Sequence, residues 1–318
     1  MLNNEVYIDF YKKHPDICIF SAPWWLDAVV GVRCWDVIFV NDKNNNIIAT
    51  FPYVKSKGRL GTTEIIMPHL TQKLGPYIVY DNNLSYTKRI GYEHKIYEKI
   101  IAQLPEFDFF SINFDQNYKN WLPFYWAGFN CTPRYSYRLY NIKNINDIYS
   151  KISNSKRKYI DSGMRKFTLH YDLPANDFYD YFELVVSERG DKVNFSRKLF
   201  NSIYNAVYEQ NSGRVLYCID NGTGKIAAVK FVIWDAKTAY ALVGIRSKEF
   251  NNSCSYEFLT FECIKYASKH VDEYDFEGSM IKGVEEAYRL YGGTQIEYYN
   301  ISKENRFLLP ILKRLSKH

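Results

Sequence analysis

The chain has 318 residues, of which 47% are hydrophobic and 24% charged, and its formal net charge at pH 7 is +6. This composition is ordinary for a soluble globular protein, and the length is enough for two modest domains or one large one. No apolar run approaches the roughly 20 residues of a membrane span, and the opening residues lack the basic start and apolar core of a signal peptide. We therefore expect a cytoplasmic protein.

Metal and disulfide chemistry are not indicated. The six cysteines and six histidines are scattered, with no Cys-x-x-Cys pair and no His-Glu-x-x-His. Such cysteines are typical of reduced residues in the core of a cytosolic protein. We expect no metal and no permanently bound cofactor.

In chain order, a first pattern occurs in both halves of the sequence. An amphipathic helix over 23–32 precedes two β-rich runs that flank a polar turn at 41–46. A second helix over 197–210 precedes the same arrangement around a turn at 220–225. Each β–turn–β pattern predicts a hairpin, and the two align without a gap.

A second correspondence follows downstream. A helix after Tyr92 leads into an aromatic strand ending at Phe110, and a helix after Tyr256 leads into one ending at Phe276. Each is followed by a short helix (118–126 and 282–290), a glycine-containing turn and a last strand. Chance likeness of α/β patterns is the alternative, but three matched blocks in one order favour a duplicated module. We predict modules over 1–143 and 144–318.

A basic segment opens the second module. Residues 151–166 contain six basic residues and one acidic residue. We predict a helix here, docked through Ile145, Ile148, Ile152 and Tyr159. Its basic face is either a solvated surface or a cradle for phosphates of a nucleotide-linked or lipid-linked sugar, of CoA or of a tRNA end. In the second interpretation Lys156 and Arg157 contact an anionic substrate.

The stretch 274–293 carries the strongest candidate site. An aromatic strand over 274–276 ends at the turn Glu277-Gly278-Ser279, and a helix over 282–290 carries Arg289 before Gly292-Gly293 stops it. A loop that joins a strand end to a helix is where α/β folds place chemistry. We therefore expect Glu277, Gly278 and Ser279 to face a substrate, with Gly278 allowing it close to the backbone.

These residues resemble the C-terminal signature of the Fem-type peptidyltransferases and their relatives in the GNAT acyltransferase superfamily. The signature runs Asp-Phe-x-Gly, a short helix with a basic residue, then an aromatic-Gly-Gly, and here it reads Asp275-Phe-Glu-Gly278 and Tyr288-Arg-Leu-Tyr-Gly-Gly293. Relatives usually have Lys where this chain has Arg289. The segments 20–26 and 68–77 also resemble parts of such proteins, and two GNAT modules in one chain is the Fem-type architecture.

The resemblance implies an α/β fold of two tandem GNAT-like modules, each a mixed twisted sheet flanked by helices. It implies a bacterial transferase that moves an acyl or aminoacyl group to an amine of a cell-envelope precursor, sugar or peptide. Glu277 would accept the amine proton, and Arg289 would pair with a donor phosphate or stabilise the transition state. A structural capping role for Glu277 is the alternative. The implied substrate-binding residues are Lys156, Arg157, Gln72, Gly278 and Ser279.

The donor is left open between acyl-CoA and aminoacyl-tRNA. GNAT enzymes hold the CoA pyrophosphate on a glycine-bearing loop at a helix N-terminus. The equivalent stretches, 246–255 and 80–85, contain no glycine. This weakens CoA without excluding it, because capping side chains can still present N–H groups. The candidate donor-binding residues are Arg246, Asn251, Asn252 and Ser253.

The last residues, 303–318, predict a basic amphipathic helix with Leu308, Ile311, Leu312 and Leu315 on one side. We expect it to dock on the body of the protein, and a membrane surface or RNA is the alternative partner. Two competing functions remain for the whole chain. One is a catalytically degenerate tandem module kept for binding or scaffolding, and the other is direct nucleic-acid binding.

Overall fold

In a computed structural model of the protein, the described residues are 3–58, 61–81, 83–251, 253–278 and 280–305. They form two compact units. The first holds the residues up to 134 and those from 297 onward, and the second holds residues 135–296. The predicted module boundary at 143/144 lies close to the point, at 134/135, where the chain passes from the first unit to the second. That prediction assigns the segment from 297 onward to the second module, whereas the segment belongs to the first unit. In the predicted tail helix, residues 306–318 lie outside the described residues, and residues 303–304 end a strand instead.

The described helices and strands alternate along the chain. The helices are α1 (Asn3–Lys13), α2 (Pro23–Val30), α3 (Tyr86–Gln103), α4 (Leu122–Trp126), α5 (Ile145–Lys151), α6 (Asn154–Lys166), α7 (Ala175–Glu188), α8 (Arg197–Glu209), α9 (Ser255–Ala267) and α10 (Lys282–Arg289). The strands are β1 (Asp36–Asn41), β2 (Ile47–Tyr53), β3 (Lys55–Lys57), β4 (Thr63–Ile66), β5 (Tyr77–Ile78), β6 (Phe109–Asn113), β7 (Asn130–Tyr140), β8 (Phe167–Tyr171), β9 (Gly213–Asp220), β10 (Ile226–Trp234), β11 (Thr238–Arg246), β12 (Glu273–Asp275) and β13 (Thr294–Glu304).

The strands of the first unit are hydrogen-bonded in the orders β1-β2-β5 and β3-β4-β6-β13. The predicted hairpin is confirmed: β1 and β2 are antiparallel, with Phe39 opposite Thr50. Asp42 closes the turn, since its carboxylate accepts the backbone N–H groups of Asn44 and Asn46 at 2.8 Å each. Aromatic side chains fill the core, and Trp25 and Phe110 are fully buried.

The strands of the second unit are hydrogen-bonded in the order β7-β12-β11-β10-β9-β8 and are of mixed direction. Its only parallel pair among the described strands is β11 with β12, and the predicted hairpin of β9 and β10 is confirmed. Alternate residues of β10 face opposite layers. Ala228 and Val232 pack with residues of α6 and α9, whereas the ring of Phe231 lies 6.0 Å from that of Phe200 on α8. The sheet is therefore covered by helices on both faces.

The single basic helix predicted over 151–166 is wrong in detail. The segment forms two helices, α5 and α6, separated at Ile152-Ser153. The hydroxyl of Ser153 accepts the backbone N–H of Lys156 at 3.4 Å and so caps the start of α6. This restart turns Tyr159 outward, where it is 50% exposed, and Ile160 docks in its place.

The signature segment folds as its pattern predicts, within a residue or two. The predicted strand 274–276 is β12, and the predicted helix 282–290 is α10. Gly292 has φ +76°, and a Cβ there would lie 2.6 Å from the carbonyl oxygen of Lys151. A glycine is needed at this position both for the left-handed backbone and for the close approach of another chain segment.

Membrane-spanning helices and metal-binding clusters are both absent from the described residues. None of their helices is both long and apolar enough to cross a membrane. They also contain no group of three or more His, Cys, Asp or Glu side chains arranged to hold a metal ion.

Candidate active site

The parallel strands β11 and β12 of the second unit stop pairing toward their carboxyl ends. β11 and β12 pair over Thr238–Tyr240 and Glu273–Asp275, after which β12 ends while β11 continues to Arg246. Ligands of open α/β sheets bind in crevices beyond the carboxyl ends of parallel strands. The sheet therefore opens where a binding site is expected.

A cavity of about 420 Å³ lies at this opening, within the second unit. Three elements supply most of its wall: residues 244–246 of β11, the first turns of α9, and α10 with Tyr291. Its volume is within the 300–1,000 Å³ range of small-molecule sites. The loop that the resemblance assigns to the acyl donor, 246–255, joins two of these elements.

The cavity carries an excess of positive charge. The carboxylate of Glu257 accepts a hydrogen bond from the ammonium of Lys156 at 2.9 Å and lies 3.8 Å from the guanidinium of Arg246. Arg189 donates to the carbonyl of Arg246 at 2.8 Å. The described wall thus holds three cationic side chains and one carboxylate, a balance that favours an anionic ligand.

Two tyrosines supply neutral hydroxyl groups to the same wall. Burial raises the pKa of both Tyr256 and Tyr288 to about 12. Each hydroxyl is therefore protonated near neutral pH and able to donate a hydrogen bond. Hydroxyl donors of this kind are suited to a carbonyl oxygen that gains negative charge.

Glu277 and Gly278 follow β12 in a loop against the backbone of β7. Glu277 is 8% exposed with φ +63°, and its N–H donates to the carboxylate of Asp275 at 2.8 Å. Gly278 has φ +65°, and a Cβ on it would lie 2.2 Å from the carbonyl oxygen of Tyr135. The close neighbour of this glycine is thus the chain itself. Neither residue is among the described residues that line the cavity, and Ser279 lies outside the described part of the chain.

Arg289 lies at the end of α10, with its side chain 56% exposed. Its guanidinium donates to Glu285 at 3.1 Å, and Glu285 also accepts the hydroxyl of Tyr137. The hydrogen bond from Tyr137, and then that from Arg289, lowers the pKa of Glu285. Arg289 is not among the described residues of the cavity wall, so its catalytic role stays a prediction.

The structure separates the two predicted anion ligands of the basic segment. Lys156 lines the cavity and lies 5.4 Å from the centre of the Tyr291 ring. Arg157 instead donates to the side chain of Asn154 and to the carbonyl of Ser150, on α5. Only Lys156 is thus placed to meet a ligand in this cavity.

Of the predicted donor-binding residues that the structure describes, Arg246 alone lines the cavity. Asn251 is exposed and closes a 3₁₀ turn, Lys248–Phe250, by donating its N–H to Lys248 at 3.1 Å. The hydroxyl of Ser253 donates to the carbonyl of Phe250 at 2.6 Å. Asn252 lies outside the described residues.

Gln72 lies in the first unit, on the segment between β4 and β5. Its carbonyl accepts the side-chain amide of Asn113 at 3.0 Å. The neighbouring Thr71 accepts the indole N–H of Trp25, also at 3.0 Å. These bonds hold the segment in place, and its substrate role stays a prediction.

Sequence reasoning missed a buried ionic cluster beside the signature. Arg138 of β7 donates to Glu273 at 2.9 Å and to Asp275 at 2.8 Å, and all three side chains are at most 6% exposed. The hydroxyl of Ser136 also donates to Asp275. The aspartate of the Asp-Phe-Glu-Gly signature thus joins β12 to β7 and fixes the loop after it. A basic residue amid the apolar end of β7 was the available signal.

Sequence reasoning also missed Lys230, at the centre of β10. It is 3% exposed and lies opposite Gly244, which lines the cavity. Burial lowers the pKa of its ammonium. The signal was present, since Lys230 is the single charged residue in the apolar run 226–234.

Comparison with models of known protein families found no match, and neither did comparison with curated proteins. Solved structures of the same fold were found. The crystal structure of FemX aligns over 94% of this chain and 96% of its own, with a TM-score of 0.67 and 13% identity. A tandem GNAT protein from the clavulanic acid biosynthesis pathway aligns over 95% and 94%, with a TM-score of 0.54 and 9% identity.

A third structure is the C-terminal domain of a candidate lysylphosphatidylglycerol synthetase from Agrobacterium fabrum. It aligns over 98% of this chain and 96% of its own, with a TM-score of 0.54 and 10% identity. At such identities these likenesses establish the fold. The chain has the Fem-like tandem GNAT fold, and the predicted fold class is confirmed.

Proposed function

We propose that this chain, with its Fem-like tandem GNAT fold, is a transferase that moves an acyl or aminoacyl group to an amine of a cell-envelope precursor. The observation that carries the proposal is the cationic cavity at the opening between β11 and β12, beside the loop 246–255. The names of two structural relatives support a transferase of this kind: a tandem GNAT protein and a candidate lysylphosphatidylglycerol synthetase.

The reaction needs three things that the residues of the chain have to supply. A neutral amine attacks the ester or thioester carbonyl, the C–N bond forms, and the C–O or C–S bond breaks as the amine loses its proton. Alignment of the two reactants and stabilisation of the oxyanion lower the barrier. The protonated hydroxyls of Tyr256 and Tyr288 are suited to the oxyanion, and Glu277 stays the predicted proton acceptor.

An aminoacyl ester suits the cavity better than acyl-CoA does. Glu257 lies in the first turn of α9, near the helix N-terminus where a CoA pyrophosphate would bind in the GNAT arrangement. The Glu257 carboxylate, besides its bond to Lys156, can accept a hydrogen bond from the ammonium group of an aminoacyl donor. The loop 246–255 also contains no glycine. We therefore propose aminoacyl-tRNA as the donor and acyl-CoA as the second candidate.

The test is equilibrium binding of lysyl-tRNA, alanyl-tRNA and acetyl-CoA to the full chain, with uncharged tRNA and CoA as references. We expect at least one donor that carries its acyl or aminoacyl group to bind more tightly than the same molecule without that group. Arg246→Ala should weaken that binding at least about tenfold, or 1.4 kcal/mol. Arg197→Ala is the matched control, since Arg197 is a partly exposed arginine on α8 paired with Asp180 and Glu183.

Two results would count against the proposal. One is equal binding of charged and uncharged ligands, and the other is equal loss in the Arg246 and Arg197 variants. Either result would favour the competing function, a tandem module kept for binding or scaffolding without catalysis.

A further inference from the structure

Lys230 is a buried cation that the proposed chemistry has not used. It lies at the centre of β10, opposite Gly244 of β11 and Leu216 of β9, and only 3% of its surface is exposed. The alternation of the strand places it on the same face as Ala228 and Val232, toward α9. Charged side chains are almost never buried to this extent without a partner.

Within the described part of the chain, no carboxylate is bonded to this ammonium. Its Nζ lies 4.0 Å from the centre of the Tyr256 ring, and no hydrogen bond or ion pair to it exists within the described residues. The titratable groups that face it are Tyr256, Glu257 and Cys263 on α9 and Tyr288 on α10. Burial raises the pKa of both tyrosines and of the thiol to about 12, so these three are neutral. Glu257 is already bonded to Lys156.

Gly244 is where the cavity wall meets this lysine. It is part of the cavity wall, and a Cβ on it would lie 2.9 Å from Cγ of Lys230 and 3.1 Å from the hydroxyl oxygen of Tyr256. Any larger residue would press on the stem of Lys230 and on that hydroxyl. Lys230 is not itself among the described lining residues, so a ligand in the cavity would reach it by the route past Gly244.

We propose that Lys230 anchors an anionic group, a carboxylate or a phosphoryl group, of the substrate that occupies this cavity. The choice of ligand rests on the proposed function. A buried ammonium costs free energy unless it is paired, and an incoming oxyanion supplies the missing partner through a charge-assisted hydrogen bond. No bond to carbon forms or breaks in this step.

The proposal predicts opposite effects on the empty protein and on binding. Replacing Lys230 by Met keeps the length of the side chain and removes the charge. We expect Lys230→Met to raise the melting temperature of the empty protein by roughly 1.5 °C, the shift expected for about 1 kcal/mol in a chain of this size. The same variant should bind the donor of the wild-type protein at least about tenfold more weakly. A structural lysine would instead lower the melting temperature.

The direct test is the pKa of the Lys230 ammonium, followed by NMR in the full chain labelled with ¹³C-lysine and assigned with Lys230→Met. Inorganic phosphate and malonate are the probes for the two anion types, and sodium chloride at equal ionic strength is the reference. We expect one of the probes, and not chloride, to raise this pKa. The probe that does so identifies the group as phosphoryl or carboxylate. Lys225, exposed and paired with Glu249, is the control lysine and should not respond.

The outcomes separate this proposal from the proposed function. A pKa of Lys230 that neither probe changes, together with donor binding that survives Lys230→Met, would overturn the anchor and leave the transferase standing. A probe-dependent rise in that pKa, in a protein that binds no charged donor, would support the anchor and overturn the transferase. Gly244→Ala should abolish the probe effect, and persistence of the effect in that variant would overturn the route through Gly244.

Discussion

Asp275→Ala is the most informative stability variant, because the signature aspartate is at the centre of the buried cluster. Its carboxylate accepts hydrogen bonds from the guanidinium of Arg138 at 2.8 Å, from the hydroxyl of Ser136 and from the N–H of Glu277 at 2.8 Å. The residue is 0% exposed. Removing one partner of a buried ion pair costs about 3–5 kcal/mol, since the remaining charge stays buried. Glu273 still binds Arg138, so we expect the lower half of that range.

The assay is urea unfolding of the full chain, followed by circular dichroism and by tryptophan fluorescence. Trp234 is the one tryptophan in the sequence 135–296, so part of the fluorescence change reports on the second unit. With an m-value of about 2 kcal/mol/M, a loss of about 3–4 kcal/mol lowers the midpoint by about 1.5–2 M. Asp272→Ala is the matched control, because its bond to Lys143 joins side chains that are 56% and 60% exposed. Such a surface pair contributes about 0–1 kcal/mol. Equal midpoints for the two variants would refute the structural role of the cluster.

Three further predictions follow from the same region. Gly278→Ala should destabilise the protein by at least about 2 kcal/mol in urea unfolding, because the left-handed backbone disfavours alanine and its Cβ would lie 2.2 Å from the Tyr135 carbonyl. Gly91→Ala is the control, and it should stabilise the protein slightly because Gly91 lies on a helix with nothing within 4 Å of the added Cβ. A Gly91 variant less stable than the Gly278 variant would contradict the packing. Arg289→Ala should change the free energy of unfolding by no more than about 1 kcal/mol, since the ion pair of Arg289 is exposed. The same variant should slow acyl transfer at least about tenfold, and Arg289→Lys should restore most of the rate. An unchanged rate in Arg289→Ala would remove Arg289 from the reaction. Burial lowers the pKa of Lys230, so the unfolded chain binds more protons than the folded one between that lowered pKa and about pH 10.4. Urea unfolding at several pH values should therefore show the wild-type protein gaining stability relative to Lys230→Met as the pH rises through this window. A stability difference that stays constant there would contradict the lowered pKa.

Local patterns were sufficient to predict most of the elements. The hairpins, β12, α10 and the glycine stop at Gly292 each follow from residues that are neighbours in sequence, where periodicity and turn chemistry act directly. The basic segment shows the limit of this reasoning, because the side-chain cap of Ser153 divides it into two helices and replaces Tyr159 by Ile160 in the docked face.

The chemistry of the site depended on partners that are distant in sequence. Arg138 meets Glu273 and Asp275 only after β7 and β12 pair, and Lys230 lies opposite the cavity-lining Gly244 only after β10 and β11 pair. Spacing along the chain carries no information on such pairs. The outcomes for Lys156 and Arg157 differ because consecutive helix residues point about 100° apart, so that only one of the two side chains faces the cavity.

The central claim is that the cavity between β11, α9 and α10 holds the acyl donor, and hydrogen–deuterium exchange tests it most directly. The exchange of each peptide would be compared in the free protein and in the presence of saturating non-hydrolysable lysyl-tRNA analogue or acetyl-CoA. The account predicts slower exchange in residues 244–257 and 283–291 with one of these ligands, and a loss of that protection in Arg246→Ala. Protection confined to the segment 68–77, or to no segment at saturation, would contradict it.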